Sequence, residues 1–238
     1  MNTNQDLLKI VTSPKPTTID GVIDWMNRFD AGLPGNDGLK WFNWLYLLVT
    51  KAVRNQPPIP SWNRPQWLSR LDVVFANMYF DAVQTELTGT GTVPKSWKVL
   101  FEARGRTGID RIQFALAGMN AHINHDLSLA LLQTDKEFGI VPGHSSLEHG
   151  DFEHVNGLLA TVMPEALTTL ATGLMGEGIQ STGKIGRALA LWNVRVARDL
   201  AWDFADHLRQ LPGFTNAFAL STQDRFTGAI GRSLLMIV

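Results

Sequence analysis

The sequence predicts an all-α protein: a single compact domain of about eight or nine helices packed around one buried central helix, at about residues 110–134. Three observations predict it. Apolar residues recur at helical spacing along most of the chain, and no alternating run bounded by hairpin turns interrupts them. The stretch IQFALAGMNAHINHDLSLALLQT, residues 112–134, is apolar or small on almost every side, with Asp126 its one formally charged residue. A helix of that kind belongs in an interior. Finally, 45% hydrophobic against 18% charged residues imply a large core and a modest surface.

The elements follow in order. Residues 1–16, ending in SPKP, read as a flexible lead-in, and 17–238 as the helical domain. Thr17 or Thr18 can cap a first helix running to about Leu33, with Ile19, Val22, Ile23, Met26 and Phe29 on one face. PGNDG at 34–38 is a turn. A second helix, about 39–55, carries Trp41, Phe42, Trp44, Leu45, Tyr46, Leu47 and Leu48 around its circumference, so it too is central. Pro57, Pro58 and Pro60 break the chain, and Pro65 suits the first position of a third helix reaching about Thr88. After the GTGTVP loop, a short helix covers Lys95 to Arg104 and the central helix follows. Residues 135–150 form the main irregular segment. A helical stretch begins at Asp151, with Pro164 opening its second half, and the Gly-rich run 173–184 is a loop. Two long helices, about 185–211 and 214–237, divide at Leu211-Pro212-Gly213.

Several function classes are disfavoured. A net charge of −1 offers no basic footprint for nucleic acid. With no cysteine there is no disulfide, thiolate zinc site or cysteine nucleophile, and a reducing compartment fits. MNTNQDLLKIVTSPKP lacks the charged start and apolar middle of a signal peptide. Trp41 to Val49 is too short for a bilayer, and the central helix would place its polar cluster at mid-membrane. A cytoplasmic protein without a membrane span is the expectation. Walker, G-x-G-x-x-G, G-x-S-x-G and H-E-x-x-H patterns are missing, and GEGIQSTGK has the wrong spacing for a phosphate loop, so nothing points to a nucleotide, flavin or nicotinamide.

The chemistry concentrates in the central helix. Asn120, His122, Asn124, His125 and Asp126 fall within seven positions, and burying them demands partners for every group. On a wheel of about 100° per residue, Gln113, Asn120 and Asn124 border one side of the apolar stripe, His122 and Asp126 border the other at i and i+4, and His125 lies on the far side. Gly118 costs about 1 kcal/mol relative to alanine inside a helix, which either close packing or room for a ligand would offset. Three uses of the cluster are open. The amides can cross-link helices. His122, His125 and Asp126, as H-x-x-H-D, can ligate zinc, iron or manganese. Or His125 or Asp126 serves as a tuned acid or base in a metal-free pocket, with the asparagines orienting a ligand. For the last, an arginine from ALWNVRVARDLAWDFADHL could meet Asp126 or Asp72; Trp192, Arg195, Asp199, Trp202 and Asp203 share a face there, with Arg198 displaced from it. Asp72 and Asn77 interrupt the apolar LDVVFANMYF and could reach the same interior. The eight tryptophans suit a core, and Trp202 suits the wall of an apolar pocket.

At FALAGMNAHINHDL, and again in FNWLYLLVT, RLDVVFANMYF, SWKVLFEAR, DFEHVN and ARDLAW, the chain resembles the family catalogued as domain of unknown function 5995, over most of residues 20–205. The polar positions that carry the resemblance are Asp72, Asn77, Arg104, Gln113, Asn120, His122, Asn124, His125, Asp126, Asp151, Asn156, Arg198 and Trp202. It implies an all-helical fold and no established activity. Through fungal relatives in natural-product pathways it also suggests Diels–Alder-type cyclisation.

The expectation is therefore a cofactor-independent cyclase or isomerase, pericyclase-like, acting on an apolar natural-product-type molecule. His125, Asp126, Asn120 and Asn124 would be catalytic, with the asparagines and His125 donating hydrogen bonds to a carbonyl. Asp72, Asn77, Gln113, His122, Arg198 and Trp202 would line the substrate site. The alternatives are a metal-dependent hydrolase built on His122, His125 and Asp126, and a non-catalytic ligand carrier or assembly protein. A homo-oligomer is compatible with all three.

Overall fold

A computed structural model of the protein describes residues 3–56, 62–172 and 193–236. The described elements are α1 (Thr3–Val11), α2 (Ile19–Gly32), α3 (Gly38–Asn55), α4 (Pro65–Thr88), α5 (Lys95–Ala103), α6 (Arg111–Ala121), a π-helical turn (His122–Asp126), α7 (Leu127–Phe138), α8 (Leu147–Thr172), α9 (Val194–Gln210) and α10 (Gly213–Leu235). No strand occurs among the described residues. The Gly-rich run 173–184, Trp192 and the first residues of the expected helix 185–211 lie outside them.

Local chemistry sets the boundaries. Thr18 accepts a hydrogen bond from Gly21 N–H at the start of α2, and Asp37 one from Leu39 N–H at the start of α3. Pro65 opens α4, where a missing N–H costs nothing. Gly89 and Gly139, at φ +68° and +66°, end α4 and α7 in the left-handed conformation that glycine adopts without strain. Two expectations change. Residues 3–11, read as lead-in, form α1, whose Leu7 and Val11 enter the core; Leu7 seats against Gly32. The segment is short, so its apolar face is easily overlooked. And α8 begins at Leu147 and runs through Pro164 without ending there.

The core is aromatic. Trp25 stacks on Phe80 and Phe29 at ring-centroid distances of 3.7 and 4.9 Å, and Trp67, Trp97 and Trp202 are also fully buried. Helix α6 runs through the middle, packed against α3 on one side and α10 on the other; α7 lies between α4 and α9, and the π turn touches α4, α9 and α10. Gly118 shows which explanation of the sequence holds: a Cβ there would sit 2.3 Å from the Phe42 ring, so the glycine serves close packing of α6 on α3. Gly118→Ala should therefore destabilise the fold by about 1–3 kcal/mol, the usual cost of overpacking, despite alanine's better helix propensity. Urea unfolding measures it.

Candidate active site

Between α6 and α7 the backbone makes one wider turn. Leu127 N–H bonds to His122 O, five residues back, in place of the four-back partner of an α-helix. Such turns are rare and frequently accompany functional sites. Here Asp126 meets its neighbour His125 as well as His122 four residues back, whereas adjacent residues on a straight α-helix do not face one another. His122 Nδ1 lies 3.0 Å from Asp126 Oδ2, and His125 Nδ1 lies 2.8 Å from Asp126 Oδ1. Trp97 of α5 adds a third contact, its indole N–H donating to Asp126 Oδ2 at 2.9 Å. An indole can only donate and a carboxylate can only accept. Asp126 thus holds both imidazoles with Nδ1 protonated, and the lone pair of a neutral His122 sits on Nε2.

The electrostatics follow. Burial pushes the Asp126 carboxyl up, but the hydrogen bonds from His122 and His125 more than offset this, and it stays below its usual range. Burial dominates at His122, lowering it, so this imidazole is neutral near pH 7. For His125 burial also pulls down, but the bond to Asp126 and the charges of Asp126 and Asp224 outweigh it and raise it. Its Nε2 lies 3.8 Å from Asp224, which also accepts the backbone N–H groups of Lys95 and Ser96 and so caps α5. Asp126 thereby ties α5, the π turn and, through His125, α10.

On the other side of the turn lies a small cavity of about 50 Å³, walled by Tyr46, Leu71, Asp72, Phe75, His122 and Arg198 among others. By the usual allowance for one water it holds roughly three to five waters. His122 is stacked flat on Phe75, and its Nε2 has no hydrogen-bond partner among the described residues; nor does Asp72 Oδ2. Burial pushes the Asp72 carboxyl up to about 7, against the pull of the Arg198 charge. Arg198 is itself lowered to about 10 by burial, and is anchored by Asn156 Oδ1 and the Phe152 carbonyl at 2.7 Å each.

The remaining expected residues divide. Asn120 donates to the Thr227 carbonyl and accepts from Asn124, each at 2.9 Å, so it cross-links α6 to α10. Each asparagine thus gives one of its two amide hydrogens to this cross-link. Gln113 accepts from Asp110 N–H and donates to the Leu234 carbonyl, a helix-end role away from the cavity. Asn77 donates to the Pro16 carbonyl, because its place on α4 faces the α1–α2 connection and not the π turn. Trp202 is fully buried among Trp67, His149 and Phe152 and walls no part of the cavity. Arg198, not the exposed Arg195, is the inward arginine of α9, since it shares a face with Ala201, Trp202 and Ala205. It acts on Asp72, while Asp126 meets imidazoles and an indole. The three residues of H-x-x-H-D do not converge on an ion: both Nδ1 atoms are turned onto the carboxylate, and no set of three or more metal-ligating side chains forms among the described residues. Trp97 and Asp224 join the site without any signal in the sequence. An indole N–H carries no mark that separates a donor from ordinary core.

Fold and site together define an all-helical protein with a buried acid–base cluster on a π turn. The chain belongs to the family of unknown function DUF5995, whose model matches residues 19–237. No curated protein and no solved structure matches it. No helix among the described residues is long and apolar enough to cross a membrane.

Proposed function

We propose that the protein is a cofactor-independent isomerase or cyclase that moves protons on a small carbonyl compound at the Asp72–His122–Arg198 cavity. One observation carries this: a carboxyl held near neutrality and a neutral imidazole line the same largely apolar cavity beside a buried guanidinium. Titratable groups perturbed together in a cavity mark acid–base sites, and a proton carrier works best with its pKa near ambient pH. Asp72 and His122 are the proton carriers. Arg198 supplies a fixed positive charge for the enolate oxygen that forms when an α-proton leaves. Asp126 and Trp97 hold the His122 tautomer and so act as positioning residues.

The cavity's size narrows the substrate. Pockets for drug-sized ligands span about 300–1,000 Å³, so a Diels–Alder substrate would need this space to widen, while a few-atom ketone or the reacting end of a longer molecule fits. The test is deuterium wash-in. In D₂O, the α-protons of acetone, followed by proton NMR, should exchange faster with the protein than with an equal concentration of its Asp72→Asn variant. Exchange no faster than in buffer would remove the proposal.

A further inference from the structure

A second, larger space lies on the opposite face of the π turn. It is a groove of about 350 Å³ between α9 and α10, with Asn124 at its floor. Val196, Leu200 and Phe204 form one wall at i, i+4 and i+8, and Phe226 and Ile230 form the other. Leu200 is 59% exposed and Phe226 68% exposed, a large apolar surface to leave in water.

The polar floor has a fixed sense. The Thr227 carbonyl can only accept, so Asn120 must meet it through Nδ2. Asn120 Oδ1 is then the atom facing Asn124, and Asn124 must donate through its own Nδ2. Asn124 Oδ1 is left as an acceptor on the end of the amide turned from Asn120. The same logic applies to Gln223 in the groove wall. The Ser128 hydroxyl donates to the His125 carbonyl, so it accepts from Gln223 Nε2, and Gln223 Oε1 is a second acceptor, itself without a partner among the described residues.

The geometry points to a binding site for a slender apolar molecule that carries a hydrogen-bond donor at one end, a long-chain alcohol. Its apolar body lies along Leu200 and Phe226 and its donor meets Asn124 Oδ1. This site is independent of the proton-transfer cavity, which His122 faces from the other side of the turn.

The test titrates the full chain with 1-decanol and, separately, decyl methyl ether, which has the same body and no donor. Chemical shifts of the Leu200 and Ile230 methyl groups report binding. We expect saturation at one decanol per chain and affinity about tenfold above the ether, the effect of one hydrogen bond. Leu200→Glu, at an exposed position, should weaken both probes at least tenfold with an unchanged thermal midpoint, and Asn124→Ala should abolish the preference for the alcohol. The proposal is overturned by an absence of saturable binding, by equal affinity for alcohol and ether, or by a dimer in sedimentation that Leu200→Glu dissolves and decanol does not.

Discussion

Asp126→Asn should cost the fold roughly 3–5 kcal/mol, the range for breaking a buried charge network by removing one partner. The carboxylate accepts from three donors, on α5 and the π turn. An asparagine turns an NH₂ group toward at least one of those N–H groups, leaving a buried donor facing a donor. It also removes the charge that raises His125. The pH dependence gives the variant a signature. The carboxylate's contribution is present above the ordinary carboxyl range and lost as pH falls through its depressed folded pKa. That of His125 is complete below about 6.5 and lost as pH rises through its elevated folded pKa. The wild type should therefore carry this stabilisation between those two limits, and Asp126→Asn should lack it. Urea unfolding from pH 3 to 9, with NMR titration of the His125 ring, makes the comparison. A variant within about 0.5 kcal/mol of the wild type, the spread of ordinary surface changes, with an unmoved His125 titration, would show that Asp126 is not the hub.

The fold is legible where a short stretch settles its own conformation. Thr18, Asp37 and Pro65 mark helix starts because capping and proline chemistry act within one turn. The central helix is legible because nothing so apolar can be exposed. The cluster on it is legible as residues but not as geometry. No local feature separates HINHD in a π turn from HINHD in an α-helix, and it is in that widened turn that His125 joins His122 on Asp126. Partners from distant segments are beyond a helical wheel: Trp97 lies 29 residues before Asp126, and Asp224 comes from the last helix. Setting Arg195 on the face of Asp199, Trp202 and Asp203, with Arg198 displaced from it, puts α9 in the wrong phase, whereas Ala197, Ala201 and Ala205 are the small residues that pack inward and carry Arg198 with them. Asn77 and Asp72 interrupt one apolar run and so read as neighbours, yet five positions along a helix turn them toward different partners.

Replacing Asp72 by asparagine should raise stability and abolish turnover together, a pairing expected of a group retained for chemistry and not for the fold. Its carboxyl sits at about 7 in the folded protein, against 3.8 ordinarily. Between pH 4 and 7 the unfolded chain has given up this proton and the folded chain still holds it, so the wild type loses stability as pH rises through that window. A shift of that size corresponds to at most about 4 kcal/mol above pH 7. The amide of the variant has no proton to lose, so its advantage should be near zero at pH 4, grow to pH 7 and stay level beyond. Guanidinium unfolding at pH 4.5 and 8 reads the difference. In the same variant, deuterium wash-in should fall about 10²–10⁴-fold, the usual contribution of a positioned proton carrier. Stability and turnover moving in opposite directions would separate this carboxyl from Asp126, whose loss lowers both. An Asp72→Asn protein that is less stable at pH 8 and keeps its wash-in would instead make Asp72 a structural partner of Arg198, and the cavity a packing defect.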